Sequence, residues 1–376
     1  MPEVPSHLDL FCGPGGFALG FEWAGFKPIL GLDIHPPSVA TYERNHPDAA
    51  TILSDIRKVS NSDLERKLRA APLVITAGVP CEGFSMSNRN RNRFVDERVF
   101  LFVEFLRVVE YFEPPYIVLE NVSALTRHSN GFFKNEIEGG MRALGYQVEA
   151  KVLNAVDYGV PQRRRRVFFV GWKPEWSFFW PEAQHGSSKG QAPLVTVWDA
   201  IGDLPPLDSD QEVERYSAPP TSTYSALMRG DCRFLTNHRA PKHPPDTIAM
   251  IGTTVPGEPM YPKFKQRIRL RADMPCPTLV SGGIRPQFHY GHPTQPRGLS
   301  VRERARIQSF PDRYFFEGGV VQGRVQTGDA VPPLMSKAIA QKIREGLDRG
   351  PSGRSAEPET AVQTELFVSI PPAVVG

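Results

Sequence analysis

Cysteine is scarce in this chain: Cys12, Cys81, Cys232 and Cys276 are the only four in 376 residues. They lie far apart, with no CxxC pair and no Cys/His cluster at zinc-ligand spacing, so neither a metal site nor a disulfide framework is expected. No run of about 18 apolar residues occurs, which excludes an ordinary membrane-spanning helix. The opening "MPEVPSHLDLFCG" lacks a basic segment leading into an apolar one, so export is not indicated and the cytoplasm is the expected compartment. One-sided charge is missing too, the net value being only +3. Among the cations lysine is the rare one, 12 against 32 arginines. Arginine's planar fork suits phosphates and guanine edges, although a G+C-rich genome would produce the same bias. What is present is a globular composition, 40% hydrophobic and 23% charged, long enough for a full core and for two domains.

Over the first 170 or so residues, short apolar runs alternate with helical patterns. "SHLDLF", "KPILGLD", "APLVITAG" and "PPYIVLEN" have the character of buried strands. "FALGFEWAGF", "PPSVATYERNHP" and "VFLFVEFLRVVEYF" have that of helices. This alternation predicts an α/β fold with a parallel sheet and crossover helices. In such sheets ligands collect beyond the carboxyl ends of the strands. Gly13, Gly15 and Gly16 follow the first strand, Asp33 ends the second, Cys81 follows "LVITAG", and Glu120 ends "YIVLE". One crevice would gather them all.

The glycine turn allows close approach of a ligand to backbone. Its GxGG spacing is not the dinucleotide GxGxxG. Asp33 is placed to accept hydrogen bonds from both hydroxyls of a ribose, which suits NAD and S-adenosylmethionine equally. Asp55 is a further acid suited to an adenine amino group, and Ile34 and Ile56 are apolar candidates to sandwich the ring. Cys81 and Glu120 separate the two cofactors. Hydride transfer needs no thiol nucleophile in such a loop, whereas methylation of an unactivated pyrimidine carbon does, because that carbon becomes nucleophilic only after something adds to its neighbour.

The stretches "DLFCGPGGFALGFEWAGF", "GVPCEGFS", "ENV", "YGVPQRRRRVF", "HPTQPRGLSVRERARIQSFPD" and "GDAVPP" resemble, in the same order, the motifs of the DNA (cytosine-5) methyltransferases. The likeness spans nearly the whole chain. It implies a Rossmann-like, S-adenosylmethionine-dependent methyltransferase sheet with a second, smaller, loop-rich target-recognition domain. The expected boundaries are 1–173 for the catalytic and cofactor-binding domain, 174–290 for target recognition, 291–348 for the return to the catalytic domain, and 349–376 for a flexible tail.

By the same resemblance Cys81 is the nucleophile that adds to carbon 6 of a cytosine, and Glu120 contacts ring nitrogen N3 and the exocyclic amine. Such a role favours a carboxyl whose pKa is raised by burial. Arg166 matches the family arginine that helps to hold the cytosine O2 and the catalytic loop. Phe11, Gly13, Gly15, Gly16, Asp33, Ile34, Asp55, Ile56, Pro80, Asp329 and Ala330 make up the implied cofactor site; no metal is implied. The segment starting at Gly328, with Leu334, Ile339 and Ile343 on one helical face, is expected to pack back beside the first strand. The chain departs from the family pattern at Val79, at Glu82, where glutamine is common, and at Asp329, where asparagine is usual.

The loop "SMSNRNRNRF" has the polarity needed to close over DNA, with Ser85, Ser87, Arg89 and Arg91 as candidate contacts. Extrusion of the base is required, since a thiol cannot approach a stacked cytosine from above. Arg163, Arg164 and Arg165 are candidates for phosphates. From about residue 174 to 290 the βα rhythm gives way to irregular stretches with interspersed aromatics and arginines. Arg267, Arg269 and Arg271 alternate as if on one strand face, fit for guanine edges or phosphates. One branch of the family acts on tRNA, but with a short recognition segment; the long interval here favours duplex DNA. A cognate restriction endonuclease is a candidate functional partner, and a monomer is expected.

Overall fold

The computed structural model describes residues 4–80, 96–127, 131–281 and 290–351, the side chains of 96–100 excepted. Cys81, Glu82, Ser85, Ser87, Arg89, Arg91 and the expected tail beyond residue 351 lie outside the described residues.

The strands of the main sheet are β1 (Ser6–Leu10), β2 (Lys27–Asp33), β3 (Ala50–Leu53), β4 (Val74–Gly78), β5 (Tyr116–Val122), β6 (Gln147–Asn154) and β8 (Arg165–Trp172), after a two-residue β7 (Gln162–Arg163). Their spatial order is β3-β2-β1-β4-β5-β8-β6. The first five run parallel, and β8 joins β5 and β6 antiparallel. β1, β4 and the first six residues of β5 are buried almost throughout, as strands covered on both faces must be.

Side-chain parity sorts the strands between two cores. Ile75, Ala77, Ile117, Leu119, Val167 and Phe169 face a cluster completed by Phe105 of α4 (Asp96–Phe112) and by Ile137 and Met141 of α5 (Phe132–Ala143). Their neighbours Val74, Tyr116, Val118, Phe168 and Val170 face the other side. There they meet Phe17 and Phe21 of α1 (Gly16–Trp23) and Met335, Ile339 and Ile343 of α11 (Pro333–Arg349). The C-terminal helix thus packs on the sheet beside α1, as expected. Gly16 and Gly20 permit the approach: a Cβ on Gly16 would overlap the carbonyl of Val331, and one on Gly20 would lie 2.5 Å from the carbonyl of Pro333.

The region after β8 has its own core rather than being structureless. Val197, Ala200 and Ile201 of α6 (Val197–Ile201) pack with Tyr224 and Met228 of α7 (Thr223–Arg229), and with Leu270, Cys276, Leu279 and Tyr290. α8 (Pro245–Thr253) carries Ile251 into a smaller cluster with Met260. Cys276 and Pro277 form β9, paired with β7. Leu299 and Ile307, the latter in α9 (Val301–Ile307), belong to the same core as α6 and α7, so the boundary expected at residue 290 falls inside this cluster. α9 in turn packs against α10 (Gly319–Asp329).

The arginines of α9 are buried. Arg306 bridges Asp203 at 2.5 Å and Asp312 at 2.6 Å. Arg302 donates to the carbonyls of Thr236, Pro311 and Tyr314. Arg304 donates to Val280, Arg324 and the Thr327 hydroxyl. These bonds tie the second core to the main sheet's flank.

Candidate active site

The order β2-β1-β4 places a reversal of strand order between β1 and β4, where open α/β sheets form their ligand crevice. The turn after β1 enters it in an unusual conformation. Phe11 (φ 52°), Gly13 (φ 53°) and Gly15 (φ 91°) all have left-handed backbone, which only glycine adopts without cost. The Gly13 N–H donates to Oδ2 of Asp33 at 2.8 Å, and the His35 N–H donates to Oδ1 at 2.8 Å. Asp33 is therefore aimed by the turn itself. Nothing lies within 4 Å of where a Gly13 Cβ would stand, and Ile34 beside it is 64% exposed. An open cradle, a half-buried carboxylate and an exposed aliphatic side chain fit a nucleoside bearing ribose hydroxyls and an aromatic ring.

The other expected cofactor residues are placed unevenly. Asp55 is half-buried and its carboxylate accepts from the backbone and guanidinium of Arg57. Ile56 is 2% exposed and belongs to the main core, leaving little surface for a ring. Pro80 is exposed, and Ala330 is buried after Asp329 closes α10.

On the far side of β4, Gly78 pairs with Glu120 in the β4–β5 register; in the sequence Cys81 comes three residues after Gly78. Arg166 stands opposite Val122, on the same strand face as Glu120 and diagonal to it. Its Nε lies 2.9 Å from Glu120 Oε1, with the side chains 14% and 11% exposed. Burial pushes the Glu120 carboxyl up; the Arg166 and Arg164 guanidiniums oppose this, and Asp329 adds to it. Asn121 donates to the carbonyl of Val79 at 3.3 Å, tying the end of β5 to the segment that leads into Cys81.

Arg164 departs from expectation. It is 1% exposed and donates to the carbonyls of Leu279, Gly328 and Asp329; burial lowers its pKa to about 9. It fastens the stretch after β9 and the end of α10 to the sheet rather than facing outward, while its neighbours Arg163 and Arg165 are exposed. The 267–271 stretch is not a strand either. Only isolated bridges form there, Arg269 donates to the carbonyls of Gly252, Thr254 and His292, and Arg271 pairs with Asp273 at 2.5 Å. Arg267 lies over the Phe264 ring at 4.2 Å.

Two glutamines escaped the sequence reading. Gln162 accepts from the Leu279 N–H at 2.7 Å and donates to Gln308 at 2.5 Å. Gln308 in turn donates to the carbonyls of Thr327 and Ala330. Both sit within motifs rich in arginine, "VPQRRRR" and "RARIQSFPD", and nothing in their spacing marks them out.

The fold is the Rossmann-like one of the S-adenosylmethionine-dependent methyltransferases. Residues 6–345 match the family model of the C-5 cytosine-specific DNA methylases, and the chain belongs to that family; it is a DNA (cytosine-5) methyltransferase. It is 36% identical to the Type II methyltransferase M1.HphI of Haemophilus parahaemolyticus, over 90% of this chain and 86% of that one. It is 32% identical to M.AgeI of Thalassovita gelatinovora, over 90% and 98%. Among solved structures, a prophage-encoded E. coli protein superposes with a TM-score of 0.77 at 24% identity, over 92% of this chain and 99% of that one. The S. pombe Dnmt2 methyltransferase gives 0.58 at 15% identity, over 92% and 99%; at these identities the likeness concerns the fold alone. No helix among the described residues is long and apolar enough to cross a membrane.

Proposed function

We propose that this enzyme methylates carbon 5 of a cytosine within a specific duplex DNA sequence, by transient addition of Cys81 to carbon 6 of an extruded base, and that it protects DNA from a cognate restriction endonuclease. The observation that carries the reading is the buried Glu120–Arg166 pair at the carboxyl end of β5, one strand from the one that leads to Cys81.

Addition of the thiolate to carbon 6 places negative charge on the pyrimidine ring. A carboxyl pushed up by burial holds a proton toward N3 as that charge builds, and Arg166 orients it. When bound, S-adenosylmethionine supplies the electrophilic methyl group. The cradle of Phe11, Gly13, Asp33 and Ile34 would hold its nucleoside end. Loss of the carbon 5 proton then expels the thiolate and restores the ring. Extrusion of the base costs a few kcal/mol, offset by contacts in the pocket. Two of the arginines expected at the DNA bind carbonyls instead, so the exposed Arg163 and Arg165 become the nearer candidates for phosphates.

Sequencing methylated cytosines in a host expressing the chain identifies the site. A duplex carrying 5-fluorocytosine at that position, supplied with S-adenosylmethionine, should then give a denaturation-stable adduct with the wild type and none with Cys81→Ala. Absence of the adduct on a site that the enzyme methylates would overturn the covalent step. DNA from the expressing host should resist an endonuclease of the same specificity.

A further inference from the structure

The turn after β1 is held from a distant part of the chain. Tyr314, between α9 and α10, is fully buried, and its hydroxyl donates to the carbonyl of Pro14 at 2.6 Å. The same hydroxyl lies 3.0 Å from Nε2 of His46. His46, 2% exposed, follows α2 (Pro36–Asn45), and its Nδ1 is 2.9 Å from Oε1 of Glu22 on α1. A Cβ on Gly15 would stand 2.5 Å from the Tyr314 hydroxyl and 2.8 Å from His46 Nε2. Tyr314 and His46, with the Tyr42 ring at 3.1 Å, therefore fill the space against the turn's backbone, and Glu22 backs His46 from behind.

Donor and acceptor accounting constrains the protons. A carbonyl only accepts, so Tyr314 gives its single proton to Pro14, and Nε2 of His46 must be N–H. The contact between Nδ1 and Glu22 then needs one further proton, on the ring with Glu22 ionised or on the carboxyl with the ring neutral. Without it, two arrangements remain. Either the lone pair of Nδ1 faces the carboxylate, or the ring proton moves to Nδ1, Nε2 becomes an acceptor, and Tyr314 turns its proton away from Pro14.

We infer that Glu22, His46 and Tyr314 form a proton-dependent relay that positions the Phe11–Gly15 turn for S-adenosylmethionine, firm while the Glu22–His46 pair carries the extra proton and loosened when it leaves. The inference rests on the reading that this turn holds the methyl donor. The other groups around the relay are Tyr42, whose ring lies 4.6 Å from that of His46, with His7 and Asp9 on β1, Cys12 in the turn, and Arg313 next to Tyr314. Burial, then the charge of His46, lowers the His7 pKa to about 3. Burial raises Asp9, Cys12 and Tyr42, so these neighbours are held toward their neutral forms.

Calorimetric titration of S-adenosylmethionine into the full chain, without DNA, from about pH 6 to about pH 9 tests this. Wild-type affinity should fall as pH rises. Tyr314→Phe should bind about five- to tenfold more weakly at the acid end and lose the slope, the loss of about one hydrogen bond. His46→Gln offers Tyr314 an amide N–H at every pH, so it should keep its affinity while losing the slope. The ligand's own amino group titrates, so the difference between wild type and His46→Gln is the quantity to read. In turnover, Tyr314→Phe should raise KM for the methyl donor and leave kcat near its wild-type value. Unaltered affinity in Tyr314→Phe, or an unaltered slope in His46→Gln, overturns the relay; thermal melting identifies any variant that has simply failed to fold, and the other then decides. A wild type that binds no S-adenosylmethionine at any pH would remove the cofactor reading of the turn, and the relay with it.

Discussion

Arg166 and Glu120 meet diagonally across β5 and β8, Nε to Oε1, at 2.9 Å. The pair is held by strand register rather than by loop geometry: Arg166 faces Val122, two residues beyond Glu120 on the same side of the strand. Burial pushes the Glu120 carboxyl up and Arg166 is the largest opposing influence. A carboxyl raised in the folded state binds its proton more tightly than the unfolded chain does. Its contribution to stability is complete below the unfolded value and disappears as pH rises through the folded one.

Arg166→Gln should therefore leave burial less opposed and move the Glu120 ionisation to higher pH. We expect methylation to slow by about a hundredfold, with the corresponding limb of the pH–rate profile displaced upward. A slower enzyme with an unmoved limb would mean that Glu120 is not the group that titrates.

Arg164→Met removes a buried cation that serves the carbonyls of Leu279, Gly328 and Asp329. The expected cost is about 3 kcal/mol of stability, as for other buried charged groups whose hydrogen bonds are cut. Chemical denaturation measures it directly. The salt dependence of DNA binding should be unchanged, because Arg164 neutralises no phosphate; a flatter salt slope at wild-type stability would reverse that assignment.

Arg164 also shows where the sequence stops being informative. "QRRRR" gives four similar residues, yet pairing and strand pleat send Arg163 and Arg165 outward and Arg164 inward. Strands β1, β2, β4 and β5 were legible because burial on both faces leaves a nearly unbroken apolar run, and the positions of Asp33 and Glu120 followed from those strands. β6 was not, since its burial is patchy and its exposed positions are polar. β3 is a short edge strand, partly exposed throughout. The charges of "SVRERARI" have the composition of a solvated helix, and only the positions of Asp203, Thr236 and Thr327, farther off in the chain, and of Asp312 past the end of the helix reveal that they are satisfied inside.

Those buried pairs set the response to acid. Glu303 accepts from both Arg297 terminal nitrogens, at 2.8 and 2.6 Å, and from the Ser300 N–H. Burial acts against its ionised form, but Arg297 and then His292 outweigh it and hold the carboxyl well below its usual range. Asp312 is lowered against burial by Arg306 and Arg302. A depressed carboxylate contributes stability above the unfolded value that is lost as pH falls through the folded one. The melting temperature should thus decline from about pH 4 downward. Glu303→Gln should cost about 3 kcal/mol at neutral pH by stranding Arg297, and its acid decline should be shallower; circular dichroism melts across pH check both.

Gly13 in the turn and Gly16 at the start of α1 should fail in different ways when given a methyl group. In Gly16→Ala the new carbon overlaps the backbone carbonyl of Val331, and a backbone atom held between α1 and α11 cannot move aside as a flexible side chain would. Overpacking of this kind costs about 1 to 3 kcal/mol or more, so the melting temperature should drop and the methyl-donor affinity should drop with it, because the helix that backs the turn is displaced. In Gly13→Ala the carbon meets nothing within 4 Å, but the residue sits at φ 53°, a strain of about 1 kcal/mol for a non-glycine. Its methyl group would project into the open cradle beside Asp33. Stability should fall modestly, while affinity for S-adenosylmethionine should fall by more than that strain accounts for. Thermal melts and calorimetric titrations on the two variants separate these outcomes: a Gly13→Ala enzyme that binds the methyl donor as tightly as wild type would show that the ligand does not approach the turn at this point.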